Sequence, residues 1–257
     1  MTNNRRSQIY WEIQDFESRV LGFRSAKLVV DVSVGALDFN KTSPYVLENM
    51  RSNGVQFVSC RLRSDQEEHA YALKKNGFIK ADSIISFERP INPVPIVDNR
   101  NRIMLANSSN LEACTRIARR SFTFDRFHND PVISEEQANN LKDRWIENDL
   151  SGRADACFVS VEKNNEITGF MACLDNAETV VIDLIAVDQN QRGRGIGSSL
   201  IAFAIDHYKK NTLIKKMVVG TQELNLPSIS LYKKMGFFSV AVFETFHFHM
   251  MWNSPGA

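Results

Sequence analysis

Residues 180–200 read VVIDLIAVDQNQRGRGIGSSL. The first eight residues are almost all apolar, which is typical of a strand buried on both faces. A glycine-rich turn follows them, and a helical pattern then runs from about residue 197 to 209. We therefore expect the functional site of the chain at this turn, between a buried strand and a helix.

The turn has the composition of a phosphate site. Its glycines lie at alternate positions, Gly193, Gly195 and Gly197. Glycine lets backbone N–H groups approach a ligand closely, and a helix N-terminus adds unpaired donors and a partial positive charge. Arg192 and Arg194 add further positive charge. The turn therefore predicts a phosphate site, most naturally one for a pyrophosphate.

Three other interpretations of the turn compete with this one. A Walker A loop needs Gly-Lys followed by Ser or Thr, which the turn lacks. The dinucleotide fingerprint needs Gly or Ala where the chain has Ser198, and it belongs near the start of a βαβ unit. A glycine turn without a ligand is the third interpretation. It is disfavoured because three of the twelve glycines of the chain lie in this short stretch.

Two motifs carry a family resemblance. Residues 192–197, RGRGIG, match the R/Q-x-x-G-x-G/A motif of the GNAT acetyltransferases, and the preceding DLIAV is similar to their fourth strand. Residues 225–237, NLPSISLYKKMGF, resemble their N-x-x-A/S-x-x-L-Y-x-x-x-G-F signature. The resemblance covers about residues 103–252. It implies an α+β protein with a mixed, mostly antiparallel sheet flanked by helices, and an enzyme that transfers acetyl from acetyl-CoA to an amine.

The resemblance also implies residue roles. The pyrophosphate would be bound by the backbone at Arg192, Gly193, Arg194, Gly195, Ile196, Gly197 and Ser198. The pantetheine arm would pair with the strand at Ile185, Ala186 and Val187. The same arm would form a hydrogen bond with Asn225. Tyr232 would lie beside the thioester sulfur. A phenol there is suited to protonate the leaving thiolate as a general acid.

The general base is a separate question. Asp183 lies on the buried strand, where a carboxylate could take the proton of the amine directly or through water. It could equally bind substrate or pair with a neighbour, and a water chain alone could serve. His247 and His249 share one face of a predicted strand, but no third ligand is indicated, so no metal is predicted.

The first third of the chain looks like a partial copy of the rest. Residues 71–78, YALKKNGF, parallel residues 230–237, SLYKKMGF, and each stretch predicts a helix, a glycine stop and a strand. A proline-containing stretch separates the two parts. We therefore predict a smaller partial GNAT-like N-terminal domain at 1–90, a linker at 91–102 and a catalytic GNAT domain at 103–257. No G-x-G stretch precedes residue 71, so the first copy is expected to bind no coenzyme.

Hydrophobic periodicity gives a coarse set of elements. Helices are predicted at 44–52, 66–75, 110–121, 135–148, 197–209 and 228–235. Strands are predicted at 28–32, 57–62, 84–87, 103–106, 156–162, 167–174, 180–187, 216–221 and 240–250.

The acceptor is predicted from a second, finer resemblance. The opening W-x-x-x-x-F-x-S…G-F pattern from residue 11 and the pairing of RF at 126 with RWIEN at 144 resemble the TDP-fucosamine acetyltransferases. Those GNAT enzymes N-acetylate a dTDP-linked 4-amino-4,6-dideoxyhexose. The chain departs from them in being longer at its N-terminus and through 129–137. The resemblance implies a nucleotide-linked amino sugar as acceptor, contacted by Arg126, His128 and Arg144.

Two alternative functions stay open. The acceptor could be another amine, such as a protein N-terminus, a polyamine or a drug-like amine. The chain could also be a non-catalytic acyl-CoA-binding module, although neither the turn nor Tyr232 is degenerate.

Composition excludes several classes of partner. Lys and Arg total 31 and Asp and Glu total 30, so the charge balance gives no signal for nucleic acid. No apolar run approaches the length of a membrane span, and the opening residues carry no secretion signal. Four widely spaced cysteines are typical of reduced thiols. We expect a cytoplasmic enzyme with a small-molecule acceptor, no nucleic-acid or membrane partner, and a homodimer as one assembly to test.

Overall fold

The computed structural model of the chain describes residues 9–31, 35–97, 101–121 and 125–250. The strands are β1 Ile9–Ile13, β2 Ser25–Val30, β3 Phe57–Arg63, β4 Ile79–Pro90, β5 Arg102–Leu105, β6 Ala156–Val161, β7 Ile167–Asn176, β8 Thr179–Val187, β9 Lys216–Gln222 and β10 Phe238–His249. The helices are α1 Asp15–Leu21, α2 Ala36–Ser52, α3 Glu67–Lys75, α4 Leu111–Ser121, α5 Glu135–Asn148, α6 Ile196–Tyr208 and α7 Leu226–Lys234. A π-helical turn, Asp149–Arg153, follows α5.

The chain forms two compact units that are discontinuous in sequence. The first contains the described residues within 1–84, 125–138 and 242–257, and the second those within 85–124 and 139–241. This grouping differs from the predicted division at 1–90, 91–102 and 103–257. The reason is that β10 pairs antiparallel with β3 from Phe243 to His249, which places the end of the described chain in the first unit. The segment 125–138 joins it through hydrogen bonds to β10.

In the first unit, α2 and α3 pack on one face of the sheet. Its strand order is β1-β2-β3-β10-β4. The β2–β3 pair is parallel, and the β1–β2 and β3–β10 pairs are antiparallel. Buried side chains from α2 and α3 pack against β10 around Phe39, Met50, Leu73 and Phe246. The hydrophobic core of this unit therefore lies between these two helices and one sheet face.

The second unit has helices on both faces of its sheet. Its strand order is β4-β9-β8-β7-β6-β5, and the β8–β9 pair is parallel while the pairs from β8 to β5 are antiparallel. Phe158 of β6 packs in a cluster with α6 and α7, whereas the adjacent Val159 packs in a second cluster with α4 and α5. Because successive strand residues point to opposite faces, the two clusters lie on opposite sides of the sheet. The predicted α+β architecture is confirmed.

The two halves end their helices in the same way. In α7, the N–H of Phe237 donates to the carbonyl of Tyr232. In α3, the N–H of Phe78 donates to the carbonyl of Leu73 in the corresponding position. Glycines with left-handed backbone, Gly236 and Gly77, make both turns possible, because L side chains rarely adopt positive φ. The repeated sequence therefore corresponds to a repeated local structure, with leucine in the first copy where the second has tyrosine.

Two regions differ from the periodicity-based elements. Neither β1 nor α1 is predicted, because each is short and its apolar pattern is weak. Helix α2 begins at Ala36 and runs through Pro44, where a helix start is predicted. The completely buried Phe39 fixes the earlier turns to the core, and this packing outweighs the cost of an interior proline.

Candidate active site

The glycine turn leads directly from β8 into α6. Gly193 and Gly195 have φ of 78° and 76°, and Gly195 is the N-cap of α6 without a side-chain cap among the described residues. Residues 192–195 are exposed. The first backbone N–H groups of α6 therefore have no capping side chain, and the turn beside them is open to solvent. This arrangement fits a pyrophosphate group.

Gly197 also shapes the packing behind the turn. A Cβ built at Gly197 would lie 2.9 Å from Cδ2 of Leu231 in α7. The residue is buried, and its lack of a side chain allows α6 and α7 to pack closely. Two of the three glycines thus shape the turn, and the third shapes the helix packing behind it.

Asn101 supports the turn and was missed by the sequence analysis. Its Nδ2 donates to the carbonyl oxygen of Arg194 at 3.2 Å and to Oγ of Ser199 at 3.1 Å. The Arg192 side chain folds back so that its Nε lies 3.5 Å from the carbonyl oxygen of Val187. An asparagine in a stretch predicted as a linker carries no signal for such a contact. The backbone conformation of the turn is therefore fixed from outside the motif.

Strand β8 separates from β9 halfway along its length. The parallel pairing runs from Thr179–Lys216 to Ile182–Val219 and ends there, although both strands continue. On the other side, β7 pairs Cys173 with Ile182 and Ala172 with Leu184, so Asp183 is the extra residue of a β-bulge.

The bulge reverses which side chains face each core. Ile182 packs with α6 and α7, whereas Leu184 packs in the opposite cluster. Regular alternation would put both on one face. Ile185, Ala186 and Val187 follow the bulge, remain paired with β7 and have no register partner in β9. The structure thus leaves a strand edge that an amide-bearing arm could pair with.

Tyr232 is buried on α7 between aromatic rings. The centroids of Phe87 and Phe237 both lie 5.8 Å from its own. Burial raises the pKa of the Tyr232 phenol, and a hydrogen bond with the Ser228 side chain acts in the opposite direction. The phenol therefore remains protonated at neutral pH, as a proton donor must.

Asn225 lies between the end of β9 and the start of α7. Its Oδ1 accepts from the backbone N–H of Ser228 at 3.3 Å, which caps the helix. Its Nδ2 donates to Oγ1 of Thr221 at 3.1 Å. These two contacts fix the orientation of the amide, and the contact with pantetheine stays a prediction.

Asp183 does not stand alone at the bulge. Nη1 of Arg153 donates to Oδ2 of Asp183 at 2.7 Å and also to Asp149. Neither Arg153 nor Asp149 was predicted to belong to the site. No sequence signal identifies them, since they lie thirty or more positions away from the strand.

The residues predicted to contact the acceptor differ in their surroundings. Arg126, in the first unit, is largely buried against Glu17, with Nη2 2.5 Å from Oε1, and its guanidinium lies 4.0 Å from the Phe127 ring. His128 of the same unit lies 3.0 Å from Asp125. Arg144, in the second unit, is 62% exposed and pairs with Glu147 at 2.6 Å. Residues 122–124 of the predicted acceptor loop lie outside the described residues.

The two histidines of β10 bind a carboxylate. Nδ1 of His247 lies 2.6 Å from Oδ2 of Asp130, and Nε2 of His249 lies 2.9 Å from both oxygens. Burial opposes the ionisation of Asp130, but the hydrogen bonds from both histidines outweigh it and lower its pKa. Burial, together with the nearby Arg126, lowers the pKa of His247. The pair thus anchors the 125–138 segment to β10.

Two features are absent from the part of the chain that the structure describes. No group of three or more His, Cys, Asp or Glu side chains there is arranged to hold a metal ion. No helix in the same residues is long and apolar enough to cross a membrane.

Comparisons with known proteins identify the family. The acetyltransferase (GNAT) family model matches residues 111–237. The spore coat polysaccharide biosynthesis protein SpsD of Bacillus subtilis is 31% identical over 246 residues, covering 96% of this chain and 81% of that protein. A GCN5-related N-acetyltransferase from Sphaerobacter thermophilus has a TM-score of 0.66 at 16% identity, covering 93% of this chain and 76% of that one.

The tandem arrangement also has a structural counterpart. A tandem GNAT protein from the clavulanic acid biosynthesis pathway has a TM-score of 0.63 at 11% identity, covering 91% of this chain and 77% of that one. These similarities and the geometry of the second unit agree with the predicted fold, a GNAT domain preceded by a smaller partial copy. The chain belongs to the GNAT family of acetyl-CoA-dependent N-acetyltransferases.

Proposed function

We propose that the chain acetylates the amine of a nucleotide-linked amino sugar, of the dTDP-4-amino-4,6-dideoxyhexose class. The separation of β8 from β9 beside an uncapped helix N-terminus is the observation that carries the acetyl-transfer part. The similarity to a polysaccharide biosynthesis protein over 96% of the chain supports a sugar acceptor. The finer choice of sugar rests on the resemblance in the opening pattern and in the RWIEN helix.

The coenzyme contacts follow the geometry of the second unit. The backbone of residues 192–198 binds the pyrophosphate, because this stretch combines an exposed turn with the free N–H groups of α6. Ile185, Ala186 and Val187 offer backbone groups to the pantetheine arm along the edge that β9 leaves. Asn225 supplies a further amide next to that edge.

Residues of the same unit are suited to the chemistry. Acetyl-CoA supplies an acetyl group activated as a thioester. A backbone N–H at the β8 bulge stabilises the oxyanion that forms when the amine attacks the carbonyl. The Tyr232 phenol holds the proton that the departing sulfur needs. Asp183 is the candidate group that receives the proton of the amine.

Arg144 is the arginine that we propose for the diphosphate of the acceptor. It is the more exposed of the two candidate arginines, and a guanidinium binds phosphate oxygens through paired hydrogen bonds. Arg126 already pairs with Glu17, so phosphate binding there requires exchange of that partner. The roles of Arg126 and His128, the cytoplasmic location and a homodimer remain predictions.

The test measures release of free thiol from acetyl-CoA with a panel of amines. A dTDP-linked 4-amino-4,6-dideoxyhexose is compared with the same amino sugar lacking the nucleotide, with peptides and with polyamines. We expect the nucleotide-linked sugar to give a much higher kcat/KM, because remote binding energy holds the reacting groups in place. Equal turnover of both sugars, or activity on peptides or polyamines alone, would overturn the acceptor assignment. An absence of thiol release with every amine would overturn the acetyl-transfer assignment.

A further inference from the structure

Three charged residues of the second unit, Asp149, Arg153 and Asp183, are joined by ion pairs. Arg153 donates through Nη1 to Oδ1 of Asp149 and, at 2.7 Å, to Oδ2 of Asp183. The side chain of Asp149 is 1% exposed, that of Asp183 17% and that of Arg153 37%. The second oxygen of Asp149, Oδ2, is buried without a hydrogen-bond partner among the described residues. One guanidinium thus serves two carboxylates, the inner of which is withdrawn from solvent.

The backbone that holds two of these residues is unusual. Helix α5 ends at Asn148, and Asp149–Arg153 then form a single π-helical turn in which Gly152 has φ of 106°. Turns of this kind are rare and frequently occur at functional sites. The turn brings Asp149 and Arg153 into contact, and Gly152 supplies a backbone conformation that L side chains rarely adopt.

Asp183, the more exposed of the two carboxylates, lies at the proposed reaction centre. Asp183 is the extra residue of the β8 bulge, directly after Ile182, the last residue that pairs with β9. The ion pairs therefore link the buried carboxylate of Asp149 to the point where β8 no longer pairs with β9.

We propose that Asp149 and Arg153 are positioning residues that hold the Asp183 carboxylate at the bulge and share the guanidinium charge, so that Asp183 can take a proton from the acceptor. This inference rests on the proposed acetyl transfer. In the step, an N–H bond of the acceptor ammonium breaks, its electron pair stays on nitrogen, and the proton moves to a carboxylate oxygen of Asp183. The neutral amine is then the nucleophile.

The sharing of the Arg153 guanidinium between Asp149 and Asp183 has an electrostatic reason. An arginine that faced Asp183 alone would place a full positive charge beside the carboxylate and weaken it as a base. Asp149 takes up part of that charge through the same Nη1 atom. Burial, followed by repulsion from Asp183, raises the pKa of Asp149 to about 6, while Arg153 opposes the shift.

The pair has further titratable neighbours in the described structure, namely Asp155 and the thiols Cys157 of β6, Cys114 of α4 and Cys173 of β7. Burial raises the pKa of Cys114 and Cys157 to about 12 and that of Cys173 well above its ordinary value. All three thiols stay neutral at working pH, so they add no charge to that of the carboxylates and the Arg153 guanidinium.

The test compares pH–rate profiles of kcat/KM for thiol release. In Asp149→Asn the guanidinium pairs with Asp183 alone, so the acidic limb should move to lower pH by about one unit and kcat should fall roughly tenfold. The double variant Asp149→Asn/Arg153→Gln should recover part of that loss, because Asp183 is released from the unshared charge. Asp143→Asn is the control, since Asp143 on α5 pairs with Arg119 away from the bulge, and its profile should match the wild type.

Several outcomes would overturn the inference. An acidic limb that stays in place in Asp149→Asn, or losses that simply add in the double variant, would contradict a shared charge. If Asp149→Asn does not fold, Arg153→Lys provides the second test. Its ammonium is carried on a flexible stem and lacks the rigid planar guanidinium that places Nη1 between the two carboxylates, so it should show a shifted limb with unchanged acetyl-CoA affinity. Wild-type kcat in Asp183→Asn would remove Asp183 as the base while leaving acetyl transfer intact. A wild type without thiol release would instead remove the proposed function.

Discussion

Tyr232 is a phenol whose burial keeps its proton in place. Tyr232→Phe retains the ring that packs on Phe87 and Phe237 but removes that proton. We expect kcat to fall by about 10²-fold, because a positioned proton donor contributes on that order, with acetyl-CoA affinity unchanged. Tyr208→Phe is the matched control, since Tyr208 is also a buried tyrosine of this unit and its hydroxyl has no hydrogen-bond partner in the described structure. A kcat for Tyr232→Phe within about twofold of wild type would exclude the general-acid role.

Gly195 combines a positive φ with open space around it. A Cβ there would meet only Nδ2 of Asn101, at 3.9 Å, so Gly195→Val strains the backbone without a clash in the core. The branched side chain would stand where the pyrophosphate approaches the α6 N-terminus. We expect the Kd for acetyl-CoA, measured by calorimetry, to rise at least about tenfold, the effect of losing roughly 1.4 kcal/mol.

Gly22 provides the matched control for this substitution. It has φ of 78° at the end of α1 and nothing within 4 Å of a built Cβ. Gly22→Val should lose about as much stability as Gly195→Val, roughly 1–2 kcal/mol for a left-handed residue, but leave acetyl-CoA affinity unchanged. Equal affinities in both variants would remove the turn from the coenzyme site.

At the scale of elements, Asp130 fastens the 125–138 segment to β10. Its carboxylate accepts hydrogen bonds from His247, from His249 and from the backbone N–H of Val132 at 2.9 Å. Asp130→Asn should lower the free energy of unfolding by about 2–4 kcal/mol at pH 7, because the buried side chains of His247 and His249 then lose the charged carboxylate that accepts their hydrogen bonds. Urea unfolding measures the difference. Asp65→Asn, which breaks an exposed pair with Arg63, should cost less than about 1 kcal/mol.

Asp130 and His247 also make the folding stability depend on pH. The folded pKa of Asp130 is lowered and so is that of His247, so at acidic pH the unfolded chain binds more protons than the folded one. Protonation of His247 as pH falls below about 6.5 destabilises both proteins, and Asp130→Asn at least as much, because the variant lacks the carboxylate that raises the pKa of His247. The contribution of the Asp130 charge is present above about pH 4 and is lost as pH falls below it. The stability advantage of wild type over Asp130→Asn should therefore shrink as pH falls from about 5 to about 2. An advantage that stays constant over this range would contradict the assignment.

At the scale of the whole molecule, only one half carries the coenzyme features. Leu73 holds the position in α3 that Tyr232 holds in α7. No G-x-G stretch precedes the first copy of the repeat. We expect calorimetry to give one acetyl-CoA per chain and Gly195→Val to abolish or weaken that single event. Two binding events per chain, or one that is insensitive to Gly195→Val, would show that the first unit binds coenzyme.

The sequence by itself determined the features that depend on neighbouring residues. The apolar run of β8, the glycine turn and the start of α6 are local, since glycine backbone freedom and strand burial leave direct marks in composition. The repeated KKxGF stretch likewise predicted two helix ends that share one hydrogen-bond pattern. The fold class and the acetyltransferase family followed from the resemblance of RGRGIG and NLPSISLYKKMGF to the GNAT motifs.

Only the tertiary structure decided which distant residues meet. Asn101 reaches the turn at Arg194, and Arg153 reaches the bulge at Asp183, across sequence separations of 93 and 30 residues. The pairing of β3 with β10 decided that the end of the described chain belongs to the first unit. The partner of Arg126, Glu17, is equally remote. Side-chain hydrogen bonds depend on positions in space that hydrophobic periodicity does not encode, because periodicity reports only which face of an element is buried.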